Sequence, residues 1–280
     1  MNRNLLQRTI TGIFFVVTLV GSIVLSSISF GLLFCLVSAM SVNEFCNLVN
    51  RQDDVSVNKF VAMAGAVCLF LGFFYCSVYP GQYAVFTVYI FILVYLLVSE
   101  LYRKKKNPIA DIAYAMMSQL YVALPFALLN LLAFQSADDS DFTQYHFILP
   151  LSVFVFIWVN DTGAYCTGML FGRHRLFERI SPKKSWEGSI GGCMFSLLAA
   201  WGVSLFFGNI MPMWKWLGLA LTIVIFGTWG DLTESLIKRT LGIKDSGNLL
   251  PGHGGMLDRF DSALMAIPSA FLYLLLIGNC

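Results

Sequence analysis

Charge is scarce in this chain. Of 280 residues only 12% are Asp, Glu, Lys or Arg, while 58% are hydrophobic. A soluble domain carries about a quarter charged residues, so an aqueous globule is excluded. Apolar runs long enough to cross a bilayer point instead to a polytopic membrane protein. Cysteine spacing is poor as well: the seven cysteines, at 35, 46, 68, 76, 166, 193 and 280, form no CxxC pair and are odd in number. That argues against a disulfide framework or a zinc site and leaves them as small apolar fillers. Internal repeats and low-complexity tracts are missing, which weakens any inverted-repeat reading. The first residues, "MNRNLLQRTITGIFFVVTLVGSIVL", have basic residues before an apolar stretch but no clear small-residue cleavage site, so an uncleaved first helix is expected.

What is present is a series of apolar runs of roughly 17 to 25 residues. They predict helices near 9–27, 29–46, 59–78, 83–101, 110–135, 146–170, 189–208, 213–230 and 262–278. The expected class is therefore an all-α integral membrane protein with about nine transmembrane helices. With the N-terminus in the cytoplasm, only Lys215 of the 18 Lys and Arg residues falls outside, the asymmetry of the positive-inside rule. The acidic stretch at 136–146 then lies in an outer loop. Loops before residue 145 are chemically plain, and "RKKK" at 103–106 reads as an orientation signal that touches anionic headgroups. Residues 1–145 are expected to form a scaffold, available for contacts in a homodimer. Residues 146–280 are expected to carry the chemistry, with cytoplasmic loops at 171–188 and 231–261.

Polar residues after 145 are specific in type and placement. In "GDLTESLIKRTLG", Asp231, Glu234, Ser235, Lys238 and Arg239 share one helical face. A Glu234–Lys238 pair at i,i+4 explains two of them as helix lacing worth a few tenths of a kcal/mol. It leaves Asp231, a carboxylate beside "IVIFGTWG" that must be paired, hydrated or bound to a cation. Gly242 can cap the helix. The following "KDSGNLLPGHGGMLDRFD" is broken by Gly247, Pro251, Gly252, Gly254 and Gly255, and such glycines allow backbone amides to approach an anion. Asp258 and Asp261 stand three apart at the mouth of the last run, with Lys244 and Arg259 nearby. Magnesium commonly uses one or two carboxylates plus substrate phosphates, so carboxylates from two segments beside cations suggest a nucleoside triphosphate held through Mg2+. His253 is either a phosphate donor or a turn residue.

A second polar block, "NDTGAYCTGMLFGRHRLFERISPKKSWEG" at 160–188, places Asn160 and Asp161 at membrane depth, as functional groups or as caps of a broken helix. In "SPKKSWEG", Ser181 is expected to N-cap a helix with Pro182 at its first position, aiming Lys183, Lys184 and free amides at an anion. Positive-inside topology alone would explain the charge, but has no use for Ser, Pro and Trp in that order.

At these residues the sequence resembles the phosphatidate cytidylyltransferase family, also called CDP-diacylglycerol synthase. The composite motif reads Ser235, Lys238, Arg239, Lys244, Asp245, Gly247, Pro251, His253, Gly254, Gly255, Asp258, Arg259 and Asp261. "NDTGAY" and "SPKKSWEG" resemble the family's second polar block. The resemblance implies an all-helical membrane fold with a polar cavity open to the cytoplasm and to lipid. It implies the reaction of CTP with phosphatidate to give CDP-diacylglycerol and pyrophosphate, with Mg2+ at Asp231 and Asp258 and K+ at the same centre. Lys238, Arg239, Lys244 and Arg259 are then expected on the phosphates, and Asp245 and Asp261 as supporting contacts. Lys183, Lys184 and Ser185 would hold phosphatidate or the triphosphate, and Asp161 would line the cavity. Ser235, His253, Gly254 and Gly255 complete the expected substrate-binding set. The short chain looks like a bacterial inner-membrane member, with CTP, phosphatidate and the bilayer as partners and nucleic acid not among them. The competing class is an ion-coupled transporter using Asp161 and Asp231 as an ion site. It leaves the glycine-rich segment and the cation cluster idle. A CDP-alcohol phosphotransferase would need four aspartates around DG and AR in one span pair, a pattern not found here.

Overall fold

The computed structural model describes residues 3–136, 143–247 and 254–278, with side chains from residue 9 onward. Helices fall where the apolar runs lie: α1 (Arg3–Leu25), α2 (Ser27–Val49), α3 (Lys59–Val78), α4 (Phe86–Tyr102), α5 (Pro108–Met117), α6 (Leu124–Ala133), α7 (Ile148–Phe171), α8 (Trp186–Phe206), α9 (Met213–Thr240) and α10 (Leu257–Leu276). Among the described residues eight helical stretches are long and apolar enough to cross a membrane, with α5 and α6 counting as one. The described apolar part of α1, Thr9–Leu25, is shorter. Large apolar side chains such as Phe14, Leu32, Phe91, Leu101 and Phe206 stand exposed on these helices, as lipid-facing positions do. The chain is an integral membrane protein.

Local chemistry sets the helix starts. Asn58 Oδ1 accepts from Val61 N at 3.4 Å ahead of α3, and Asn107 Oδ1 accepts from Ala110 N at 3.1 Å with Pro108 at the first position of α5. The 110–135 run is not one regular helix: a π-helical turn, Ser118–Ala123, joins α5 to α6. Pro125, which has no N–H to donate back along the helix, follows directly. Two short antiparallel hairpins add to the helices, β1 (Phe134–Ser136) with β2 (Thr143–Tyr145), and β3 (Arg175–Phe177) with β4 (Ser181–Ser185). The all-α expectation thus holds for the spans and not for these loops.

The chain divides into two compact units, residues 1–147 with 240–260, and residues 148–239 with 261–280. The first has an aromatic core in which Phe260 meets Phe15, Phe34 and Phe126 at centroid separations of 5.7, 6.4 and 5.4 Å. The first turn of α10 is thereby tied to α1, α2 and α6. The "RKKK" run also has internal partners here. Arg103 pairs with Glu100 at 2.7 Å, Lys105 with buried Asp111 at 2.9 Å, and Lys106 with Asp54 at 3.4 Å. Those three charges have partners within the protein.

In the second unit α7 and α8 pack closely because small residues line the seam. A Cβ on Gly192 would stand 2.5 Å from Asn160 O and 2.7 Å from its Oδ1. At α9 and α10, a Cβ on Gly230 would stand 2.7 Å from Asp261 O. Small residues at such crossings let backbones approach within a membrane. Asn160, midway along α7, and Asp261, near the start of α10, are consequently brought against neighbouring helices.

Candidate active site

A cavity of about 450 Å³ opens within the second unit. Its lining includes Asn160 and Asp161 from α7, Arg175 from β3, Lys183 and Lys184 from β4, and Asp231 from α9. The hairpin is held by Glu187 in the first turn of α8. Its carboxylate accepts from Arg173 N at 3.1 Å and His174 N at 3.2 Å, and Oε1 lies 2.6 Å from His174 Nδ1. This anchors the chain leaving α7 and places Arg175 opposite Ser185 in the strand register.

Residues 181–185 form strand β4, so the expected helix start at Ser181 is corrected. Ser181 pairs across to Phe177, which commits its backbone to the hairpin. The N-cap is Ser185, whose Oγ accepts from Gly188 N at 3.1 Å. Both lysines therefore precede the helix on a strand, and both still line the cavity.

Asp231 is committed on both oxygens. Lys184 Nζ lies 2.5 Å from Oδ2, and Ser235 Oγ donates to Oδ1 at 3.3 Å. Asp161 interacts electrostatically with Lys184 and Asp231, and Asp261 with Asp231, Asp161 and Lys238. Asp261 Oδ1 also accepts from Ser262 N at 2.6 Å. The site thus gathers acids and bases from the middle of α7, the C-terminal half of α9, the start of α10 and strand β4. One turn further along α9, Lys238 pairs with Glu234 at 3.1 Å, and the two are only 9% and 1% exposed. The pair is a buried one, not the solvated lacing expected from spacing. Arg239 is exposed.

The glycine-rich segment belongs to the first unit, and its chain starts beyond Gly242, which stands at φ +68° in the left-handed region that ends helices. Asp258 accepts from Ser246 N at 2.9 Å and Gly255 N at 2.9 Å. Gly254, at φ +85°, lies where a Cβ would stand 2.8 Å from Asp258 Oδ2. The Gly255 amide, which was expected to help cradle a phosphate, therefore faces the carboxylate of Asp258. Lys244, Asp245 and Arg259 are exposed on the same unit. His253, Pro251 and Gly252 lie outside the described residues.

Asp161, Lys183, Lys184, Ser185, Asp231 and Ser235 are thus gathered in one unit, while Gly254, Gly255 and Asp258 are gathered in the other. Among the described residues no group of three or more His, Cys, Asp or Glu is set to hold a metal ion. Two participants escape the motif reading. Arg175 falls in a basic loop whose charge positive-inside topology alone would explain. Glu44 of α2, 8% exposed, accepts from Leu257 N at 2.8 Å. Its signal was a lone carboxylate inside an apolar run, a functional default at membrane depth.

The chain is 40% identical over 165 residues to the phosphatidate cytidylyltransferase of Staphylococcus aureus (strain COL), 59% of this chain and 60% of that protein. Over the same length and shares it is 41% identical to that of Staphylococcus haemolyticus (strain JCSC1435) and 39% identical to that of Staphylococcus saprophyticus subsp. saprophyticus (strain ATCC 15305). The match therefore spans about three-fifths of these relatives' length. A family model described as the cytidylyltransferase family matches residues 6–277, nearly end to end, and the chain belongs to that family.

Proposed function

We propose that this protein is a phosphatidate cytidylyltransferase, converting CTP and phosphatidate to CDP-diacylglycerol and pyrophosphate. The observation that carries the reading is the second-unit cavity, where Arg175, Lys183 and Lys184 line the same space as Asp161 of α7 and Asp231 of α9. Family membership and the names of the relatives support it.

A phosphate oxygen of phosphatidate attacks the α-phosphorus of CTP, and the bond from that phosphorus to the bridging oxygen of pyrophosphate breaks. A phosphomonoester has a second pKa near 6, so the nucleophile is already ionised at neutral pH and no general base is required. The barrier is the approach of one anion to another, which fixed cations lower. Lys183, Arg175 and exposed Arg239 serve this role in the second unit, and Lys244 and Arg259 in the first. Lys238 is assigned to Glu234, with its effect on phosphates exerted at longer range. Ser185, Ser235, Gly254, Gly255, Asp245 and Asp261 position these groups, with His253 as a phosphate donor.

Asp231 and Asp258 are proposed as Mg2+ ligands, and K+ as a companion. Carboxylate oxygens suit a hard divalent cation that completes its shell with water and substrate phosphates. When bound, Mg2+ supplies charge neutralisation on the triphosphate. The protein's part is to hold Asp231 between Lys184 and Ser235, and Asp258 between two amides.

With α1 as a ninth span, the N-terminus and the site face the cytoplasm of a bacterial inner membrane. Residues 1–145 act as scaffold, with a homodimer as the proposed assembly. Ion-coupled transport is not favoured, because it leaves the cavity cations Arg175 and Lys183 without a role and does not accord with membership of the cytidylyltransferase family. The test is purified protein with labelled CTP, phosphatidate and Mg2+, followed for a lipid-linked cytidine nucleotide. Asp258→Ala is expected to lose at least about a hundredfold in rate, the scale of one preorganised electrostatic group. No product from wild type, or undiminished product from Asp258→Ala, overturns the reading.

A further inference from the structure

The first unit holds a buried carboxylate that the proposed reaction does not use. Glu44 Oε2 accepts from Leu257 N at 2.8 Å and from Ser246 Oγ at 3.4 Å. Asp258 accepts from Ser246 N and Gly255 N, both at 2.9 Å. Ser246 therefore serves both acids, its amide on Asp258 and its hydroxyl on Glu44. The donors come from the two ends of the glycine-rich segment, so the two carboxylates close that segment at its base. Glycine makes the approach feasible. A Cβ on Gly247 would stand 2.7 Å from Glu44 Oε1, and one on Gly255 would stand 2.5 Å from Glu44 Oε2.

Burying a carboxylate is costly unless hydrogen bonds replace its water. Glu44 and the segment therefore determine each other: the acid is tolerated because Leu257 and Ser246 meet it, and those two groups are placed because the acid is there. Asp258 lies one residue beyond Leu257 and is bonded to Ser246, so its orientation is set by a side chain about 200 positions earlier in the chain.

We propose that Glu44 is a positioning residue for Asp258, fixing its carboxylate by pinning Ser246 and Leu257 to α2. This rests on the place given to Asp258 in the reaction above. The role predicts a kinetic signature that a general packing role does not: folded enzyme with a lower kcat and a raised Mg2+ requirement, at a nearly unchanged KM for phosphatidate.

The test compares Glu44→Leu, Glu44→Gln and Ser246→Ala with wild type in detergent, reading Mg2+ titrations of initial rate beside amide hydrogen exchange. Glu44→Leu is expected to lower kcat about tenfold or more and to speed exchange at residues 254–258 similarly, the scale of one hydrogen bond to a charged group. Glu44→Gln, which keeps an acceptor, should restore much of both. Ser246→Ala should shift both less, and it decides the matter if Glu44→Leu does not fold. Wild-type exchange at 254–258 in both Glu44→Leu and Ser246→Ala overturns the proposal, whatever the activity. An unchanged Mg2+ titration in folded variants with faster exchange also overturns it. If wild type makes no liponucleotide, the reaction reading fails, while exchange still decides whether Glu44 pins the segment.

Discussion

Lys184 Nζ lies 2.5 Å from Asp231 Oδ2, so strand β4 and helix α9 meet through a cation and an anion at the cavity. If Mg2+ uses Asp231, this lysine competes for the same oxygen. Lys184→Met is expected to lower the Mg2+ concentration for half-maximal rate, while reducing kcat about a hundredfold through loss of a cation near the phosphates. Mg2+ titrations of initial rate check this. An unmoved half-saturation point would mean that lysine and metal do not share Asp231.

Glu234 and Lys238 form a buried pair, so removing one partner should cost far more than a solvated i,i+4 pair is worth. Glu234→Ala is expected to destabilise by about 3–5 kcal/mol, whereas the double change Glu234→Leu with Lys238→Met should recover most of it. Thermal unfolding in detergent measures both. A loss below about 0.5 kcal/mol in the single variant would return the pair to the surface category.

The cap of α8 separates two readings of one short segment. Ser185→Ala should lose about 1 kcal/mol as an N-cap, and Ser181→Ala, in the strand, should lose little. Equal melting shifts for the two would contradict the register Phe177↔Ser181.

Gly230 is where α9 approaches α10. Gly230→Val is expected to destabilise by about 1–3 kcal/mol, as overpacking does, with a further loss of activity through displacement of Asp231. Gly202→Ala is the control, since a Cβ there meets nothing within 4 Å. Thermal melting and CTP turnover on the same samples separate the two losses.

The helices were legible because length and apolarity are properties of a contiguous run, and their caps at Asn58 and Asn107 are local. The π-helical turn at Ser118–Ala123 was not, since nothing in the run distinguishes it from a regular helix except Pro125 downstream. Ser181 misled because Ser-Pro is a strong local start signal, and only pairing with Phe177, a non-local partner, overrides it. The glycine-rich segment revealed donors but not their acceptor. Free amides in a sequence look the same whether they await a phosphate or already hold Asp258. Glu44 was visible as a charge in an apolar run, yet its partners lie 202 and 213 positions away. No periodicity connects residues at that separation.

That separation also bears on biosynthesis. Helix α2 emerges from the ribosome and enters the bilayer long before Ser246 and Leu257 exist. During that interval Glu44 carries a carboxylate without the donors that later meet it. A nascent or truncated chain lacking residues 246–257 therefore leaves this acid without the Ser246 and Leu257 donors that satisfy it in the folded protein.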